Sequence, residues 1–113
     1  MALKPVTTTG GAGQYTSLGS ARTLATVVGT IPPTANFLWI ECEAQNVRYT
    51  LDGTNPAAGV GLRLIVGGQV IVVGQVIVGG LAAGVMLRRG QWNNAKFLEE
   101  VAGAKLNWQF FKT

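Results

Sequence analysis

Apolar residues in this chain recur mainly at every second position, the period of a pleated strand with one buried face. Val47, Tyr49 and Leu51 share one parity while Arg48 and Thr50 take the other. Residues 37–44 are apolar at both parities, which suits a central strand, and residues 62–66 read as the strand that returns from the next turn. Leu24, Thr26 and Val28 also share a parity and predict a further strand beginning near Arg22. That strand ends at Ile31-Pro32-Pro33-Thr34, because two prolines do not fit inside a sheet. Residues 96–101 fit a short strand or one helical turn, and residues 105–112 form a closing strand with Leu106, Trp108 and Phe110 on one face.

The breaks between these runs are equally informative. Asp52-Gly53-Thr54-Asn55-Pro56 is a turn: the aspartate accepts from a backbone N–H two residues on, and Gly53 tolerates positive φ. Gly90-Gln91-Trp92-Asn93-Asn94 reads as a polar loop exposing its tryptophan, whereas Trp39 and Trp108 are expected in the core. Gly68-Gln69-Val70-Ile71-Val72 repeats as Gly74-Gln75-Val76-Ile77-Val78, one copy short of the three units a solenoid needs. The repeat is either one core strand bulged at Gly74 or a hairpin turning there, with one face available to a neighbouring subunit. No amphipathic helix is evident. The expected fold is all-β, a single-domain β-sandwich or jelly roll over residues 21–113. Residues 1–20, rich in Thr, Gly and Ser, form an extended N-terminal arm with too little apolar content to order itself. A neighbouring molecule is expected to hold it.

Composition narrows the chemistry. At 113 residues the chain holds one core. It has no histidine, one cysteine and five carboxylates, namely Glu41, Glu43, Asp52, Glu99 and Glu100. An intrachain disulfide is impossible, no metal ligand set is present, and the plentiful hydroxyls lack a histidine to activate them. Cys42, set in an apolar strand, is expected to be a buried structural thiol. Asp52-Gly53-Thr54-Asn55 lacks the further carboxylates of a calcium loop, and Gly10-Gly11-Ala12-Gly13 lacks the lysine and hydroxyl of a phosphate-binding loop. Neither an enzyme nor any cofactor is expected.

The net charge of +4 comes from nine basic residues, of which only Arg88 and Arg89 are adjacent, so no nucleic-acid-binding stripe is apparent. Residues 64–87 are uncharged and long enough to cross a bilayer, but their glycine, glutamine, valine and isoleucine content suits strands and turns. No membrane segment is expected, and Met1-Ala2-Leu3-Lys4-Pro5 is not followed by the apolar run of a secretory signal. Only 12% of the residues are charged, against an ordinary ~25%. So sparsely charged a chain is expected to have part of its surface covered by a partner, including copies of itself.

Five segments together carry a resemblance. Phe37-Leu38-Trp39-Ile40-Glu41, Val47-Arg48-Tyr49, the Asp52-Gly53-Thr54-Asn55-Pro56 turn, the glycine before Leu62, and Leu106-Asn107-Trp108-Gln109-Phe110-Phe111 are similar to small virion proteins of tailed bacteriophages. The resemblance covers about residues 36–66 and 96–112 and does not extend to the 69–78 repeat or the arm. It implies a capsid decoration (cement) protein made in the bacterial host cytoplasm, bound outside the phage head, with the major capsid protein and copies of itself as partners. By analogy those copies form a trimer. A tail or head-to-tail adaptor and a carbohydrate-binding host-recognition module are the alternatives, the latter using Trp92. The expected contact residues are Lys4, Tyr15, Arg22, Arg88, Arg89 and Trp92, the arginines pairing with carboxylates on the shell.

Overall fold

Alternation along the chain is realised as antiparallel pairing. The computed structural model describes residues 3–66, 70–72, 75–77 and 84–113. In chain order the elements are β1 (Lys4–Pro5), β2 (Ala12–Tyr15), β3 (Arg22–Thr23), α1 (Leu24–Val28), β4 (Phe37–Glu43), β5 (Val47–Thr50) and β6 (Leu62–Leu64). They continue with β7 (Val70–Val72), β8 (Gln75–Ile77), β9 (Gly84–Arg88), β10 (Lys96–Glu99) and β11 (Lys105–Lys112). One sheet has five strands: β11 is flanked on one side by β4, with β9 beyond it, and on the other by β1 and β2 in succession. The second sheet runs β3-β10-β5-β6.

The two sheets bury one core between them. Leu38 and Ile40 of β4, Leu87 of β9 and Leu106 and Phe110 of β11 come from the first sheet. Val47 and Tyr49 of β5, Leu64 of β6 and Phe97 of β10 come from the second. Cys42 is buried as expected, and its thiol donates across the layers to the Leu64 carbonyl at 3.4 Å. The fold is therefore all-β and sandwich-like.

The Asp-Gly turn also forms as expected. The Thr54 N–H donates to Asp52 Oδ1 at 3.0 Å, Gly53 has φ 88°, and the Thr50 hydroxyl donates to the Thr54 carbonyl. Lys96 Nζ donates to Asn55 Oδ1 at 2.9 Å, tying the turn to β10.

Two sequence expectations need revision. Residues 24–28 are a single helical turn, not a strand. Thr23 Oγ1 accepts from the Thr26 N–H at 3.3 Å as the N-cap, and Leu24, Val27 and Val28 are buried at i, i+3 and i+4. The cap and that buried stripe outweigh the strand preference of the valines.

Residues 4–5 and 12–15, expected in an arm held by a neighbouring molecule, pair with β11 of the same chain, with Val6 and Leu18 buried in the core. Two side chains of β11 hold the segment between them: Trp108 Nε1 donates to the Gly10 carbonyl (3.3 Å) and Gln109 Nε2 to those of Val6 (3.4 Å) and Gly11 (3.1 Å). A methyl group at Gly13 would lie 2.7 Å from the Trp108 ring, so glycine is required where the arm crosses it.

Of the two readings of the valine-rich repeat, two antiparallel strands as in a hairpin are found, not one continuous strand. Val70–Val72 pairs antiparallel with Gln75–Ile77 and with neither main sheet among the described residues. Gly68, Gln69, Gly74 and Val78 of the repeat lie outside the described residues.

Candidate functional site

The six expected contact residues do not converge. Lys4 is exposed on β1, opposite Lys112 in register, and Arg88 is exposed at the end of β9. Both lie at one end of the five-stranded sheet, because Pro5, Phe111, Phe37 and Arg88 form one row across it. Tyr15 sits towards the opposite end, paired with Leu106 and packed against the core. Arg22 lies on the other sheet, where its Nε–H donates to the Ser17 carbonyl at 2.9 Å.

Trp92 is not exposed. It is 2% accessible and meets Phe110 edge to face, with ring centroids 5.5 Å apart at 82°. Arg89 lies over the same indole at 5.8 Å and donates to the carbonyls of Ala35 (2.7 Å) and Pro33 (2.6 Å). This turn is a clamp: its arginine satisfies the proline-rich loop, whose carbonyls have no strand partner, and its tryptophan plugs the core beneath. The polarity of the surrounding loop suggested exposure, yet a single large ring at the mouth of a sandwich gains most by turning inward.

The surface that sequence reasoning missed is the outer face of the five-stranded sheet. Along β4, Leu38, Ile40 and Cys42 are buried in the core, so Phe37, Trp39, Glu41 and Glu43 point the other way. In register beside them stand Phe111, Gln109, Asn107 and Lys105 of β11, with Arg88, Met86 and Gly84 of β9 on the far side. Phe37, Trp39, Met86 and Phe111 are half-buried yet do not belong to the core cluster. Trp39, expected in the core, instead lies over Gly84, where a Cβ would come within 2.5 Å of its ring, and donates its indole N–H to Glu41 at 3.2 Å. At the polar end, Gln14 donates to Glu43 (2.6 Å) and Asn107 (2.8 Å), and Asn107 donates to Glu43 (3.1 Å). The usable signal was Glu41 and Glu43 sharing a parity with Phe37 and Trp39, which marks that parity as outward.

A second apolar surface lies at the β6 edge. Val60, Leu62 and Ile65 are 41%, 55% and 40% exposed. Val60 and Leu62 border an open cleft of about 570 Å³ shared with Tyr49, Leu51, Asp52 and Thr54. Behind this edge Glu100 accepts from Arg63 through both its oxygens and from Arg48, each contact at 2.8 Å. The Arg63 hydrogen bonds, helped by Asn46 and Arg48, hold the Glu100 carboxyl down at about 2. That cluster ties β5, β6 and the turn after β10 together and has no reactive character.

Among the described residues there is no group of acidic, cysteine or histidine side chains able to hold a metal ion, and no helix long and apolar enough to cross a membrane. The chain matches no family model, and no curated protein or solved structure resembles it significantly.

Proposed function

We propose that this chain is a structural virion protein of a tailed bacteriophage, most concretely a decoration protein that binds the outside of the head and stabilises the shell. The observation that carries the reading is its pair of separate apolar surfaces, the aromatic outer face of one sheet and the Val60, Leu62 and Ile65 edge of the other. A cement needs more than one such surface, because it must grip both the shell and its own neighbours. The resemblance of residues 36–66 and 96–112 to small phage virion proteins supports the same reading.

The chemistry required is association alone. Apolar burial contributes about 25 cal/mol per Å², and a standard interface retains a surplus after association costs. A modest gain per copy, repeated over a closed shell, resists internal pressure collectively. Among the expected contacts, Lys4, Arg88 and Arg89 are exposed cations suited to carboxylates of a partner or a second copy, and Arg89, held by the Ala35 carbonyl, supports with Trp92 the turn following Arg88. The test is co-sedimentation of the purified chain with heads assembled without it. Saturable binding is expected, with a raised temperature of shell disruption. Absence of binding to heads, with binding to isolated tails instead, would overturn the head assignment.

A further inference from the structure

We propose that the outer face of the five-stranded sheet is a homodimer interface, covered by the same face of a second copy across a two-fold axis. This deepens the reading above by assigning one of its two apolar surfaces to self-association. It leaves the β6 edge for the shell.

The outer face of a sandwich sheet ordinarily alternates polar-out, yet here Trp39 and Met86 stand in its middle row and Phe37 and Phe111 in the end row beside Arg88. Four strands about 4.8 Å apart and four alternate residues along β4 give a footprint of about 400 Å² per copy. Two copies together bury about 800 Å² from the face alone, below the ~1,200–2,000 Å² of a standard interface. The dimer is therefore concentration-dependent rather than permanent.

Charge selects both the occupant and its orientation. One end of the face carries the exposed Arg88, and the other carries Glu41 and Glu43, with Lys105 beside Glu43. An axis running across the strands at the Trp39 row lays the Arg88–Phe37–Phe111 row of each copy over the Gly84–Glu41–Asn107 row of the other, which puts Arg88 one strand from the partner's Glu41. An axis running along the strands would set each Arg88 at the same end as the partner's Arg88 and Lys4, away from Glu41 and Glu43. Only the first arrangement is self-complementary, and it brings the two Trp39 rings together at its centre. Face-to-face sheets pack with their strands within about 30° of alignment, which this axis permits.

Sedimentation velocity of the full chain over a range of concentrations tests the proposal. The wild type is expected to pass from monomer to dimer and to dissociate more readily as salt rises. Arg88→Glu and Glu41→Arg should each weaken the dimer about tenfold, since every charge contact occurs twice in an isologous interface. The double variant Arg88→Glu/Glu41→Arg should restore most of the loss. Circular dichroism of each variant checks that it is folded, and the wild-type salt dependence stands even if a variant fails to fold.

A chain that stays monomeric at all concentrations overturns the proposal and assigns the face to another occupant, including the β7–β8 ribbon of its own chain. A dimer indifferent to salt and to both reversals, or single losses that the double variant does not repair, overturns it equally. A monomer that still decorates heads defeats this inference alone, whereas a dimer that binds no virion part defeats only the reading on which it rests.

Discussion

Replacing Trp92 by alanine tests the clamp at the mouth of the sandwich. The indole is 2% accessible, contacts Phe110 edge to face at 5.5 Å, and lies beneath the Arg89 guanidinium at 5.8 Å. Truncating a buried tryptophan costs about 3–5 kcal/mol, combining lost transfer energy with the cavity left behind. The aromatic pair and the cation over the ring fall within that figure at about 0.5–1.5 and 0.5–1 kcal/mol. A domain of this size has about 5–15 kcal/mol in total, so the loss is a large share of its stability. With a urea slope of about 1–3 kcal/mol per molar, the unfolding midpoint should fall by about 2 M. Far-UV circular dichroism is the suitable probe, since Trp39 and Trp108 complicate fluorescence. Trp92→Phe keeps a ring against Phe110 and should recover much of the loss. A Trp92→Ala cost below about 1 kcal/mol, as for a surface side chain, would refute the clamp.

Glu100 gives a pH dependence with a defined sign. Its carboxyl is held at about 2 against an ordinary 4.5, so its contribution is complete above about 4.5 and disappears as pH falls through 2. Because Arg63 is 45% exposed, screening limits that contribution to about 1 kcal/mol, and Glu100→Gln should flatten the acid limb of the stability curve by this amount in urea melts. Burial pushes the Cys42 thiol above its ordinary value, so a thiol reagent at pH 8 should leave the native chain unlabelled and react fully in urea; rapid native labelling would contradict the buried assignment. Thr23→Ala removes the cap of α1 and should lower stability by about 1 kcal/mol in a denaturant melt, with Thr23→Ser close to wild type.

Much of the layout was legible because period-2 alternation and turn chemistry act locally. Val47, Tyr49 and Leu51 did mark their inward face, and Asp52-Gly53 did mark the turn. The failures came where tertiary contacts override local preference. Leu24 and Val28 satisfy helical as well as strand spacing, and the Thr23 cap and the Gly29 N–H to the Ala25 carbonyl (2.9 Å) decide between them. The arm looked too polar to order because its partners are backbone groups and the side chains of Trp108 and Gln109, roughly a hundred residues away in sequence. Trp92 and Trp39 exchanged places for a related reason. A polar loop does not reveal which way its one large ring turns, and a strand apolar at both parities does not say which face is the core. The six expected contact residues were chosen by type, and type alone cannot bring distant positions to one surface.

The central claim is most directly tested by cryo-electron microscopy of phage heads assembled with and without this chain. The account predicts regular additional density on the outside of the shell, fitted by the two-sheet fold, with the Val60, Leu62 and Ile65 edge against the capsid. Indistinguishable shells, or density confined to the tail, would contradict it.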